Sequence, residues 1–161
     1  MQNIQHLTQL VQANKSTDNF NHNLVVDWAM ALLESGKESA NLYMLASFSP
    51  PVDAFEIRPY LLAVLEDLGL KELEGDEAAL ANIRYYITEI VLEHSIRSNL
   101  TRLYELSNKY EPDFGLGVFY NLYFEWEDLE AGEYNFYYGG ATLKNIESIV
   151  KKEALAWLEE H

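Results

Sequence analysis

The 161-residue chain contains no cysteine. Disulfides, iron–sulfur clusters, thiolate zinc sites and cysteine nucleophiles are excluded with it. Positive charge is also scarce: 11 Lys and Arg stand against 26 Asp and Glu, for a formal charge of −15. A field of that sign repels phosphate backbones and anionic lipid, so nucleic acid and the membrane surface are both disfavoured as partners. No apolar run approaches the roughly 20 residues of a membrane span. The opening residues Met-Gln-Asn-Ile-Gln-His lack the basic-then-apolar pattern of a secretory signal. The cytoplasm is the expected compartment.

Most chemical signatures are missing too. There is no phosphate-binding P-loop, no His-Glu-x-x-His, no Gly-x-Ser-x-Gly and no EF-hand loop. Gly115-Leu116-Gly117 lacks the third glycine and the preceding strand of a dinucleotide fingerprint. Those glycines fit better at a helix start or a close helix approach. The sequence therefore calls for no cofactor and no metal.

What is present is a helical pattern over a substantial core. Hydrophobic residues make up 48% and aromatics 13% of the chain, enough to fold without a staple. Ile4, Leu7, Leu10 and Val11 predict a first helix that stops near Asn14. Leu24, Val25, Trp28, Ala29, Leu32 and Leu33 predict a second, closed by Gly36. A third over 38–48 ends at Ser49-Pro50-Pro51. Asp53 is a candidate N-cap, with Glu56 in capping-box register. Ile57, Leu61, Val64, Leu65 and Leu68 form the buried face of the helix it starts. Pro59 demands that this helix begin close to it.

From 76 to 110 the apolar spacing is helical but slips in phase between His94 and Ile96, which allows one bent helix or two. Leu116, Phe119, Tyr120, Tyr123, Trp126 and Leu129 predict the next helix, ending at Gly132. Thr142 is placed to cap the last one, with the face Leu143, Ile146, Val150, Ala154, Trp157 and Leu158. The one strand candidate is the aromatic run 134–138. The expected fold is all-α, a single bundle of about six or seven helices in one domain spanning 1–161.

Two features could carry function. His94 lies on an apolar stripe, and the four histidines show neither mutual i+3 or i+4 spacing nor the Glu-x-x-His of di-iron bundles. A satisfied boundary histidine is the plainer reading; a ligand set would need further residues such as Glu89. The second feature is the stretch 111–133, which holds only acidic charge: Glu111, Asp113, Glu125, Glu127, Asp128, Glu130 and Glu133. Glu127 and Glu130 share a helix face, as do Glu125 and Asp128. A solvated face is the simple explanation. A carboxylate acid–base pair would require burial, which nothing in the sequence provides.

Tyr134, Phe136, Tyr137, Tyr138 and then Gly139-Gly140 follow directly. Rigid rings beside carboxylates suit a binding patch, although the loop could instead pack back onto the bundle. The expected partner surface is Glu127, Asp128, Glu130, Glu133, Tyr134 and Tyr137, facing a basic protein.

Two segments carry a resemblance. The first is Trp28-Ala29-Met30-Ala31-Leu32-Leu33-Glu34-Ser35-Gly36, continuing through residues 42–48 and Pro50-Pro51 to Leu65-Glu66-Asp67-Leu68-Gly69-Leu70. The second is Phe119-Tyr120, Asp128-Leu129, Gly132-Glu133, Gly139-Gly140-Ala141-Thr142 and Asn145-Ile146. Together they resemble small acidic all-helical bacterial proteins of unknown function, some similar to the immunity proteins that neutralise toxins. The resemblance implies a binding role and carries no catalytic residue across. The expectation is thus a non-enzymatic interaction protein with a basic partner. The alternative is a metal- or ligand-binding helical-bundle enzyme that uses buried carboxylates and His94.

Overall fold

A computed structural model describes residues 3–110, 114–133 and 136–161. Every regular element among the described residues is helical. The α-helices are α1 (Ile4–Gln12), α2 (Asn23–Glu34), α3 (Ala40–Ala46), α4 (Ala54–Asp67), α5 (Gly75–Val91), α6 (Ile96–Lys109), α7 (Gly117–Glu130) and α8 (Ile146–Glu160), with a 3-10 turn at Asn14–Ser16. The all-α class stands, and the count among the described residues is eight rather than six or seven. The phase slip after His94 is a true break: α5 ends at Val91, and Glu93 and Ser95 take left-handed backbone with φ of 60° and 46°. Of the candidate strand 134–138, residues 136–138 form bends, and 134–135 lie outside the described residues.

The chain divides into two compact units, Met1–Asn82 and Ile83–His161, and the division falls within α5. In the first unit α1 packs on α2, α2 on α3 and α3 on α4. Its core includes Leu10, Val25, Trp28, Leu42, Leu45, Ile57 and Leu61. The buried indole of Trp28 donates to Thr8 Oγ1 at 2.9 Å, which satisfies its only polar atom. Asp53 caps α4 by accepting the amides of Phe55 (2.8 Å) and Glu56 (3.0 Å).

Pro59 departs from expectation. The helix begins five residues before it, so Pro59 lies inside α4. The hydrogen bond it forgoes is to the carbonyl of Phe55, whose own side chain is exposed at the helix start. At the end of α2, Gly36 has a φ of +97° and Lys37 N–H reaches back to the Leu32 carbonyl at 3.1 Å. That is a Schellman closure, with Gly36 ending the helix as the sequence predicted. Beyond α4, the segment 71–74 is fastened to the end of α1: the buried Asn14 side chain donates to Glu72 (3.2 Å) and accepts from Arg58 (3.2 Å), and Arg58 pairs with Glu72 at 2.9 Å.

In the second unit α6, α7 and α8 pack on one another around Leu100, Leu103, Phe119, Leu122, Val150, Ala154 and Trp157. The α7 face is rotated from its expected position. Phe119, Leu122, Glu125 and Trp126 point inward, whereas Tyr120 is exposed and Tyr123 half-buried. Leu143 also departs from expectation: it is exposed, and Ala141 takes the buried place before α8. Thr142 does not cap α8 as expected: the N-cap is Asn145, which makes no side-chain cap hydrogen bond, and the two residues bond each other in the turn before it, the Thr142 amide donating to Asn145 Oδ1 at 2.6 Å and the Asn145 amide to Thr142 Oγ1 at 3.3 Å. Gly115 has a φ of +69° just before α7, a left-handed backbone that favours glycine, while the His161 and Trp157 rings stand at ordinary contact distance, 3.4 and 3.5 Å, from where a Cβ would lie.

Candidate functional site

The acidic stretch and the aromatic loop come together in the second unit through a residue that looked like surface. Glu125 is fully buried, at 0% exposure. Its position three residues after Leu122 and one before Trp126 places it on the inward stripe of α7. A buried carboxylate must be compensated, and Glu125 is compensated by backbone. Its Oε1 accepts the amide of Tyr138 at 2.8 Å and that of Tyr137 at 3.2 Å. Hydrogen bonds from N–H groups to an ionised oxygen are about twice as strong as neutral ones. Glu125 is therefore the anchor of the loop.

Two more links fix the same loop. The Tyr138 hydroxyl donates to Glu153 on α8 at 2.8 Å. That hydrogen bond, followed by burial and the Glu153 charge, raises the Tyr138 pKa above its ordinary value. The Tyr137 ring stacks on Phe124 with centroids 5.4 Å apart. Phe124 in turn belongs to a ring cluster in which Tyr104 of α6 stacks on Tyr123 at 4.0 Å and meets Phe124 edge-on at 5.3 Å. Tyr120 adds a further ring 5.0 Å from Phe124. The loop thus packs back on the unit and still offers rings outward: Phe136 is 77% exposed and Tyr137 40%.

The carboxylates expected at this surface do not share one environment. Arg97 of α6 donates a forked pair of hydrogen bonds to Glu130, one of them 2.6 Å long, and lies 3.7 Å from Glu127. Its guanidinium carbon sits 5.1 Å from the centroid of the Trp126 ring, a cation–π distance. The hydrogen bond to Glu130 raises the Arg97 pKa against a lowering by burial, with the two carboxylate charges adding to the rise. The reciprocal effect, led by the same hydrogen bond, holds Glu130 below the usual carboxylate range. Asp128 is half-buried one turn beyond Phe124, and Glu133 is exposed after the helix end. Tyr134, Glu111 and Asp113 lie outside the described residues.

Sequence reasoning missed Arg97, Phe124 and the anchoring role of Glu125. The signal for Glu125 was present, because a carboxylate on the Phe119–Leu122–Trp126 stripe is a buried charge in waiting. Arg97 and Phe124 left no such trace, since their partners are non-local.

His94 stands elsewhere, at the break between α5 and α6. Its Nδ1 is 2.7 Å from Glu89 Oε2, and its side chain is 39% exposed. Among the described residues no group of three or more His, Asp or Glu side chains is arranged to hold a metal ion. No helix among them is long and apolar enough to cross a membrane. No protein-family model, curated protein or solved structure matches the chain.

Proposed function

We propose that the chain is a non-enzymatic interaction protein of bacterial type that acts in the cytoplasm. It binds a basic protein through the acidic, aromatic end of α7 and the loop that follows, in the manner of an immunity protein that occupies an effector. The observation that carries this reading is the pinned loop. Glu125 holds the Tyr137 and Tyr138 amides, so Phe136 and Tyr137 are presented to solvent on a fixed backbone. Ordered aromatic side chains lose little entropy on binding. The net charge of −15 steers a cationic partner toward the molecule and repels polyanions.

The test is capture of basic proteins from a bacterial extract by the wild-type chain and by the triple variant E127Q/D128N/E130Q, at low and high salt. The reading expects a basic protein retained at low salt, released at high salt and lost from the triple variant. Equal retention by the triple variant contradicts the assigned surface.

A further inference from the structure

Four helices close on the same backbone motif, and one of them does so without glycine. At the ends of α2, α4 and α7 the left-handed residue is Gly36, Gly69 or Gly132. The amide of each reaches back three residues and the next amide reaches back five, as Gly36 does to the Leu33 carbonyl and Lys37 to that of Leu32. At the end of α5 the same two bonds run from Glu93 to the Ile90 carbonyl and from His94 to the Glu89 carbonyl, both at 2.9 Å. Glu93 thus stands in the glycine position, with a φ of 60°, and Ser95 is left-handed too, at 46°. A side chain disfavours that backbone. The joint Leu92-Glu93-His94-Ser95 contains neither glycine nor proline, so its composition suits an α-helix. Side-chain contacts hold it bent. His94 Nδ1 lies 2.7 Å from Glu89, Asn99 donates to the His94 carbonyl at 2.6 Å, and Lys151 of α8 pairs with Glu93 at 3.2 Å.

We propose that this joint opens, and that the open form is a domain-swapped dimer in which α5 and α6 run as one helix over 75–109. Straightening relieves both left-handed residues. It also gives the amides of 96–98, which lack intrahelical partners at the start of α6, the carbonyls of 92–94. A continuous helix carries α6 along the axis of α5, at about 1.5 Å per residue, and away from the contacts that tie 83–91 to the rest of the second unit. Those contacts include Arg84, which donates to the His161 carbonyl at 3.0 Å, and the Arg102 guanidinium 5.5 Å from the Tyr86 ring centroid. A second copy of the chain restores them between molecules. Helices α6, α7 and α8 pack on one another, so 96–161 exchanges as a body and takes the acidic end of α7 with it. The proposal does not depend on the partner surface assigned above.

The test is refolding from urea at micromolar and at millimolar chain concentration, with light scattering on the separated species. Wild type is compared with E93G/S95G and E93A/S95A. Glycine relaxes the bent joint and weakens a helical one, and alanine does the reverse. Both double variants lose the Glu93–Lys151 pair, so their difference reports the backbone. Wild type should yield dimer at the higher concentration. Dimerisation should be at least about a hundredfold weaker in E93G/S95G and stronger in E93A/S95A. The isolated dimer should persist on dilution, because return to monomer requires 96–161 to detach from the other chain. The amides of 96–98 should gain protection from hydrogen exchange in the dimer.

Monomer alone from all three proteins at millimolar concentration overturns the proposal. A dimer equal in the three, or one that dissociates at once on dilution, also overturns it and indicates association through a surface. Should a double variant not fold, Gly-Gly-Ser inserted between His94 and Ser95 keeps the test. A longer flexible joint reaches the bent form without strain and should abolish the dimer; a dimer that survives the insertion contradicts the swap.

Discussion

Replacing Glu125 by Gln keeps the side chain's volume and removes its charge. The amides of Tyr137 and Tyr138 then face a neutral acceptor, and both of their hydrogen bonds to position 125 are weakened. E125Q should lower the stability to urea by about 1–3 kcal/mol, and the Tyr138 amide should lose protection from hydrogen exchange. Tyr138 makes a pH-dependent contribution of the opposite kind. Its pKa is raised in the folded chain, so its contribution is fully present below the ordinary tyrosine value of about 10 and fades as pH rises through the raised folded value. Y138F should remove that alkaline component from the stability profile. For Glu130 the sign reverses. Its pKa is lowered by Arg97, so the contribution is present above the ordinary Glu value and is lost as pH falls through the lowered one. E130Q should flatten the acid limb by a small amount, since the pair is exposed.

At the scale of elements, the helix boundaries follow backbone chemistry that is local. Gly132 closes α7 with a φ of +77°, and Glu133 N–H reaches the Asp128 carbonyl at 2.9 Å. G132A should cost about 1 kcal/mol and loosen the acidic end of the site. Ser95 takes the left-handed conformation at the start of α6 without a side-chain cap hydrogen bond, so S95G should be neutral or stabilising by up to about 1 kcal/mol in thermal unfolding. These local signals explain what was legible in the sequence. Gly36, Asp53 and Gly132 act through bonds within a few residues of themselves, and each stands where the pattern put it. The α5–α6 break was legible as a slip in apolar phase, although the slip alone could not choose between a bend and a stop. The rotated α7 face was not legible. Aromatic residues satisfy an apolar pattern whether they line a core or a half-open cluster, and here Tyr104 on another helix decided that Tyr123 stays half-buried. The acidic residues at the end of α7 were visible in the sequence and their ion pairing was not, because Arg97 lies 30 positions before Glu127 in the chain.

At the scale of the molecule, a charge of −15 on 161 residues sets two salt dependences against each other. Self-repulsion destabilises the folded chain and is screened by salt. The thermal midpoint should therefore rise between about 20 mM and about 300 mM NaCl. Binding to a cationic partner should weaken over the same range, because the same screening removes the steering field. A chain whose stability and affinity both rose with salt would not be using its charge for recognition.

The most direct test of that recognition places a photo-crosslinking phenylalanine analogue at Phe136, the exposed ring of the pinned loop, and a control analogue at Met30 on α2, which is also exposed. The account predicts that position 136 cross-links to a basic protein at low salt, that high salt abolishes the product, and that position 30 yields none. Cross-links to that protein from position 30 alone, or from neither position while it is still retained, would contradict the assignment of the binding surface to α7 and its loop.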